Sequence, residues 1–462
     1  EKGMKYYTYL AEKNFPYAYY SLGLIYIDGI VVDQNINKGL NYLLLSADLN
    51  VCEAQYFLGD LYYKGTIVKR DINKAIKFFS LAAENNHEDS QILLGDIFFG
   101  DEFKNINQAI HYYSLAANRN NNLFAQLKLG DIFHEGKIIP RDINQAIHYY
   151  TLAAIQNNDA NAQYILGLIY ANGKYITTDI EKSIYFFKLA ANNNDPVSQY
   201  NLGIYYINGI YVEKDIEQAI KYFTDASSNG HSDAQFNLGV FYRIKNDTKK
   251  AIYYFTLSAE QNDCDAQINL GFLYYVYKDI DKSIYYFELA AKGHNNPIAK
   301  CYLALIYYEG TLVARDINKS IHYLTLASQQ NYIEAYYLLG VIYFKGEFVT
   351  KDINKSISYL EIASNQNHKD AQFFLGIIYY DEEYNRQNIK KAIHYFNISS
   401  KNGCIPAYNM LGIIFNDGKY VSKDINKAIY YFTLCANKQI REAQFNLGLT
   451  YYFMQSKQYI KK

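Results

Sequence analysis

The sequence predicts an all-α fold, an α/α superhelical solenoid of about thirteen stacked antiparallel helix pairs, because the whole chain repeats itself. Three periodic observations carry this. A Leu-Gly dipeptide recurs, mostly every 36 residues, at Gly23, Gly59, Gly95, Gly130, Gly167, Gly203, Gly239, Gly271, Gly340, Gly376, Gly412 and Gly448, with Leu-Ala304 filling the one gap. Ala or Ser stands five residues before, and Tyr or Phe three residues after, in every unit. A second apolar segment follows, opened each time by Asp or Asn. A helix pair of this size cannot bury its apolar faces alone, so stacked neighbours must bury them.

Residues 53–88 justify each element. Ala54, Leu58, Leu61 and Tyr62 share one face at helical spacing. Gly59 interrupts that helix at a cost of about 1 kcal/mol against Ala, which implies an approach too close for a side chain. Ala304 is then the largest substitute the slot accepts. Gly65 ends the helix as a left-handed residue, with Gly29, Gly136, Gly173, Gly209, Gly310, Gly346 and Gly418 as equivalents. After a short loop, Asp71 caps the second helix through its side-chain oxygen. The other caps are Asn35, Asn105, Asp142, Asp179, Asp215, Asp247, Asp279, Asp316, Asp352, Asn388 and Asp424. Pro16, Pro196, Pro297 and Pro406 fall where first helices begin, and a missing N–H costs little there.

Composition excludes several classes. With 45 basic and 46 acidic residues, no net field draws the chain to nucleic acid or an anionic membrane. No apolar run reaches the roughly twenty residues of a membrane helix. Cys52, Cys264, Cys301, Cys404 and Cys435 are scattered, which reads as semi-buried thiols in a reducing compartment, not as disulfide or zinc pairs. Heavy use of Asn, Ile, Lys and Tyr fits A/T-rich codons. The chain starts at Glu1 in mid-repeat and ends after an unpaired first helix, so residues 1–462 read as one continuous array truncated at both ends. Regularity breaks at 240–283, where two intervals shrink to 32 and 33 residues and the loop glycine is missing; a hinge or seam there and a harmless deletion are equal alternatives.

The string Ala-x-x-x-Leu-Gly-x-x-Tyr-x-x-Gly, followed by Asp-Ile-x-Lys-Ala-Ile-x-Tyr-Phe-x-Leu-Ala-Ala, resembles the Sel1-like repeat over essentially the whole chain. That resemblance implies a right-handed superhelix with first helices lining the inner wall, acting as an adaptor or scaffold. Family members of this kind serve signalling, membrane-protein degradation in the endoplasmic reticulum and bacterial–host contacts. Cysteine-rich members carry a disulfide in each repeat; the spacing here lacks it, so their secretion and proposed activity do not transfer. The tetratricopeptide repeat has a shorter period of about 34 residues. Base-reading helical repeats need a basic groove, whereas the recurring Lys69, Arg70, Arg141, Lys214, Arg315 and Lys423 lie in loops.

The face of the first helix opposite the packed one is aromatic where a solvated face would be polar. Three residues before the glycine stand Tyr20, Tyr56, Tyr164, Tyr200, Tyr337 and Phe373; four after stand Tyr63, Phe99, Tyr275, Tyr308, Phe344 and Tyr380. These rings either pack between neighbouring first helices or line a groove for a peptide, since Tyr and Phe are enriched at interfaces. Asp60, Asp96 and Asp131 follow the glycine in three consecutive repeats, where the other units are apolar. With Glu53, Asp89 and Glu135 nearby, they predict an acidic strip for a Lys- or Arg-bearing partner segment, or else a locally solvated stretch. His111, His148, His322 and His394 lie a repeat or more apart and cannot converge on one metal. No phosphate loop, nucleophile elbow or zinc-protease motif occurs. The expectation is a cytoplasmic, non-catalytic scaffold that binds a protein or peptide and has no cofactor, metal or nucleic-acid partner. The alternative is a regulatory arm of a larger enzyme such as a protein kinase. Asn-x-Ser/Thr triplets at Asn246, Asn318, Asn354 and Asn397 keep a luminal adaptor open.

Overall fold

The computed structural model describes residues 2–311, 313–384 and 387–460, with side chains as far as 455. Among the described residues there are twenty-six α-helices, one short 3₁₀ turn at Glu382–Tyr384 and no strand. From Pro16–Asp28 with Ile36–Asp48 to Ile405–Asp417 with Ile425–Ala436, helices alternate as first and second members of a pair. Lys2–Glu12 precedes these pairs, and Arg441–Ile460 is a further first helix after them. The chain forms two compact units, Glu1–Ala234 and Gln235–Lys462. In each, cores form where a helix pair meets the next, so apolar residues of successive repeats share clusters.

The glycine is the point of closest approach within a pair. A Cβ on Gly59 would lie 2.5 Å from the ring of Phe79, and one on Gly95 would lie 2.4 Å from Tyr113. These rings are fully buried, as are Phe187, Phe223, Phe255, Phe287, Phe396 and Phe432 in the same slot. Burying one such side chain contributes roughly 1.5–3 kcal/mol. Ala304 shares a cluster with Leu324, the slot residue of its own pair.

Cap chemistry sets the helix limits. All twelve predicted Asp and Asn caps accept a backbone N–H from the first turn of the second helix, Asp71 from Lys74 at 3.1 Å and Asp142 from Gln145 at 3.1 Å among them. Gly65 ends its helix at φ 67°. The turn between repeats has its own left-handed residue. It is Asn at Asn14, Asn50, Asn86, Asn121, Asn158, Asn194, Asn262, Asn295, Asn331 and Asn367, Gly at Gly230 and Gly403, and Gln at Gln439. Asn tolerates this conformation because its short side chain bonds locally. Asparagine use therefore has a structural reason beside any codon bias.

A buried amide column ties repeat to repeat. The residue four before the glycine is Gln in nine units, and Gln55, Gln91, Gln126, Gln163 and Gln199 are buried. Gln126 Nε2 donates to the Ala117 carbonyl at 3.2 Å, and its Oε1 accepts from Asn157 Nδ2 at 2.9 Å. Gln55, Gln91, Gln163 and Gln199 repeat both bonds with Asn85, Asn120, Asn193 and Asn229. A buried amide left unpaired costs about 1–3 kcal/mol, so the donor and acceptor must come in step. In the second unit the column falters. His294 takes the Asn position and lies 3.2 Å from Asn262 Oδ1, while Gln267 Oε1 is buried without a partner among the described residues. Lys300 and Tyr336 then occupy the Gln slot.

Candidate functional site

The first helices hold every predicted partner-binding residue on one recurring face. Tyr20, Tyr56, Tyr164, Tyr200, Tyr337, Phe373, Tyr63, Phe99, Tyr275, Tyr308, Phe344 and Tyr380 are all half-buried. The rings before the glycine lean on the buried slot ring of their own pair: Tyr56 on Phe79 at 5.9 Å, Tyr164 on Phe187 at 6.0 Å, Tyr200 on Phe223 at 5.8 Å and Phe373 on Phe396 at 5.8 Å. Three of them also stack on a histidine of the following turn at 4.5 Å: Tyr56 on His87, Tyr200 on His231 and Tyr337 on His368. The rings after the glycine reach forward. Tyr308 meets Phe348 at 5.8 Å, Phe344 meets Phe374 at 5.4 Å, Tyr380 meets Tyr420 at 6.2 Å, and Tyr275 donates to Glu309 at 2.8 Å. Tyr63 instead turns back to Phe79 at 6.2 Å. Part of each ring is thus used inside the array, and part stays open.

The three carboxylates divide. Tyr113 donates to Asp96 Oδ1 at 2.6 Å, and Tyr150 donates to Asp131 Oδ1 at 2.7 Å. Tyr113 and Tyr150 are the two places where Tyr fills the buried slot, so each carboxylate receives the phenol that Phe elsewhere does not carry. Burial first, then the bond to the carboxylate, pushes both phenols far above the usual tyrosine range. Asp60 faces Phe79 instead and pairs with Lys64 at 2.8 Å. Its charge and that of Asp89 add to burial in raising the Tyr56 phenol. Glu53 is the leading cause raising Tyr17. A recess beside Asp131 is lined by Phe99, Lys128, Ile132, Glu135, Lys137 and Ile138.

Sequence reading missed the amide column and the work of the turn histidines. His87, His231 and His368 precede first helices and accept N–H bonds through Nδ1, from Ser90 at 3.3 Å, Ala234 at 3.4 Å and Ala371 at 3.1 Å. They do the job of Asn122, Asp159 and Asp195 in other turns. Position alone could have shown this, since each stands three before the invariant Ala or Ser. The five cysteines are free thiols, three of them buried. No group of three metal-ligating side chains converges among the described residues. No helix is long and apolar enough to cross a membrane among them either.

Comparison with known proteins accounts for the geometry. The Sel1 repeat matches thirteen times, at residues 16–51, 52–87, 88–121, 123–158, 160–195, 196–231, 232–263, 264–295, 297–332, 333–368, 369–404, 405–439 and 441–462. A protective antigen of uropathogenic Escherichia coli strains with an SLR fold is similar at 23% identity, over 97% of this chain and 90% of that one, with a TM-score of 0.52. A Sel1 repeat protein of Oxalobacter formigenes is 24% identical over 81% of this chain and 90% of its own, at a TM-score of 0.30. No curated relative matches. The paired helices, the glycine that admits a ring and the capped second helix are thus one unit repeated, and the chain belongs to the Sel1 repeat family.

Proposed function

We propose that this chain is a non-catalytic scaffold whose first helices bind a protein or peptide partner along the inner wall of the array. Repeat solenoids of this kind typically act in protein–protein interaction. The carrying observation is the half-buried aromatic face, repeated along the array at two fixed positions. Rings already braced on one side present area to a partner without losing rotamer freedom, which favours affinity. In the first unit that face carries Glu53, Asp60 and Asp89 around Tyr20 and Tyr56, so a partner segment bearing Lys or Arg fits it best. Asp96 and Asp131 contribute charge while they hold Tyr113 and Tyr150.

Reversing the exposed or half-exposed pair tests this without disturbing the interior: Asp60→Lys with Asp89→Lys. Affinity capture from the source cell with the wild-type array should retain a partner whose recovery falls about tenfold in the double variant, each reversed rim contact weakening binding severalfold. Equal recovery by folded wild-type and variant arrays would refute the acidic contact. Equal recovery by a Tyr63→Ser variant as well would refute the first-helix face.

A further inference from the structure

The two repeats with shortened connections place an apolar residue where the other complete repeats have none. Five residues after the glycine, the other ten have Asp, Glu, Asn, Lys or, once, Gly. Their longer loops fold an apolar residue back against the helices, as Val68 and Val349 do. After Ser232–Ile244 and Cys264–Val276 the connection is cut to residues 245–247 and 277–279, turned by Asn246 at φ 58° and Lys278 at φ 63°. The same slot holds Ile244 and Val276, 70% and 56% exposed, beside Tyr277 at 58%. Tyr277 Oη lies 2.8 Å from Thr248 Oγ1 in the preceding repeat, which links the second connection to the repeat before it.

Cations frame it. Residues 243–250 carry Arg243, Lys245, Lys249 and Lys250 against Asp247. Lys250 pairs with Asp247 at 3.8 Å, and Arg243 bonds the neutral Asn269 Oδ1 at 2.9 Å. Arg243, Lys245 and Lys249 are all exposed. In the repeat at 52–87, by comparison, Lys64, Arg70 and Lys74 pair with Asp60, Glu102 and Asp71. Apolar side chains thus replace polar ones where cover is lost, next to cations that lack carboxylates.

We propose that this step docks an acidic segment of a partner protein, with one apolar side chain of that segment seated on Ile244, Val276 and Tyr277. Nucleic acid is the poorer fit. Two of the three central side chains are aliphatic, and the three free cations fall short of the roughly six to ten phosphate contacts of a typical binder. None of its residues is among the rings and carboxylates proposed for the first-helix face, so either can fail alone.

The test is fluorescence anisotropy on the full chain with a labelled peptide, Asp-Glu-Asp-Leu-Phe-Asp-Glu-Asp. Binding should saturate and weaken severalfold between low and physiological salt. K245E/K249E should lose about tenfold in affinity and I244S/V276S about threefold, since rim charge and buried apolar area both contribute. K69E/K214E, at ordinary loops, should bind as wild type. The proposal is overturned by absent binding, by an unchanged Kd in folded K245E/K249E, by equal loss in K69E/K214E, or by a thymidine oligomer that competes better than unlabelled peptide.

Discussion

Tyr113 and Tyr150 show how one atom changes the rules of a slot. Elsewhere Phe or Leu packs under the glycine and, Asp60 apart, an apolar residue follows that glycine; here a phenol needs an acceptor, and Asp96 and Asp131 supply it. Tyr113→Phe should cost about 1 kcal/mol in denaturant unfolding, the usual net worth of such a bond at a part-exposed carboxylate. Tyr113→Phe with Asp96→Leu should recover most of it. Because these phenols are raised in the folded state, their contribution is complete below the unfolded value near 10 and is lost as pH rises beyond it. His231 runs the other way. Burial lowers it, with Asp233 and Asp195 opposing, so its contribution is full above about 6.5 and declines as pH falls through the folded value. His231→Asn should flatten the acid limb of a thermal-melt pH series, because Asn caps without titrating.

Helices and turns were the most legible level. The Asp or Asn opening each second helix announced its cap, and the structure forms all twelve. Asp71→Ala should therefore cost about 1 kcal/mol by denaturant titration. The glycine was legible too, as a residue too costly to keep without a close neighbour. Gly95→Ala should destabilise despite better helix propensity, by about 1–3 kcal/mol, because Tyr113 cannot back away. The amide column escaped reading because its two halves sit about thirty residues apart, and nothing in one repeat shows that Gln126 will meet Asn157. The acidic strip was half legible. Its residues and spacing were visible, but the phenols that claim Asp96 and Asp131 come from the second helix. Whether the aromatic face packs or binds was equally beyond pattern, since half-burial belongs to both.

At the scale of the whole chain, each repeat touches mainly its neighbours, so stability is a sum of units and seams. Within the second unit the seams around Gln267 and Lys300 lack the paired amides of the first. Lys300 is buried, bonds the Asn295 carbonyl at 3.2 Å and its side-chain oxygen, and offers no acceptor in return. Residues 264–332 should therefore exchange amide hydrogens sooner than residues 88–195, as mass spectrometry after brief labelling would show. Uniform protection across both segments would contradict a stabilising role for the column.

The column also bears on how such a chain can lengthen. A unit whose front Gln donates to the Ala carbonyl at the rear of the unit before it is complementary to a copy of itself. Recombination that doubles one of the units between 52 and 231 would join two surfaces already matched in hydrogen bonding, and the newcomer would fold without compensating change. New length is therefore expected to enter this lineage through its amide-bearing units.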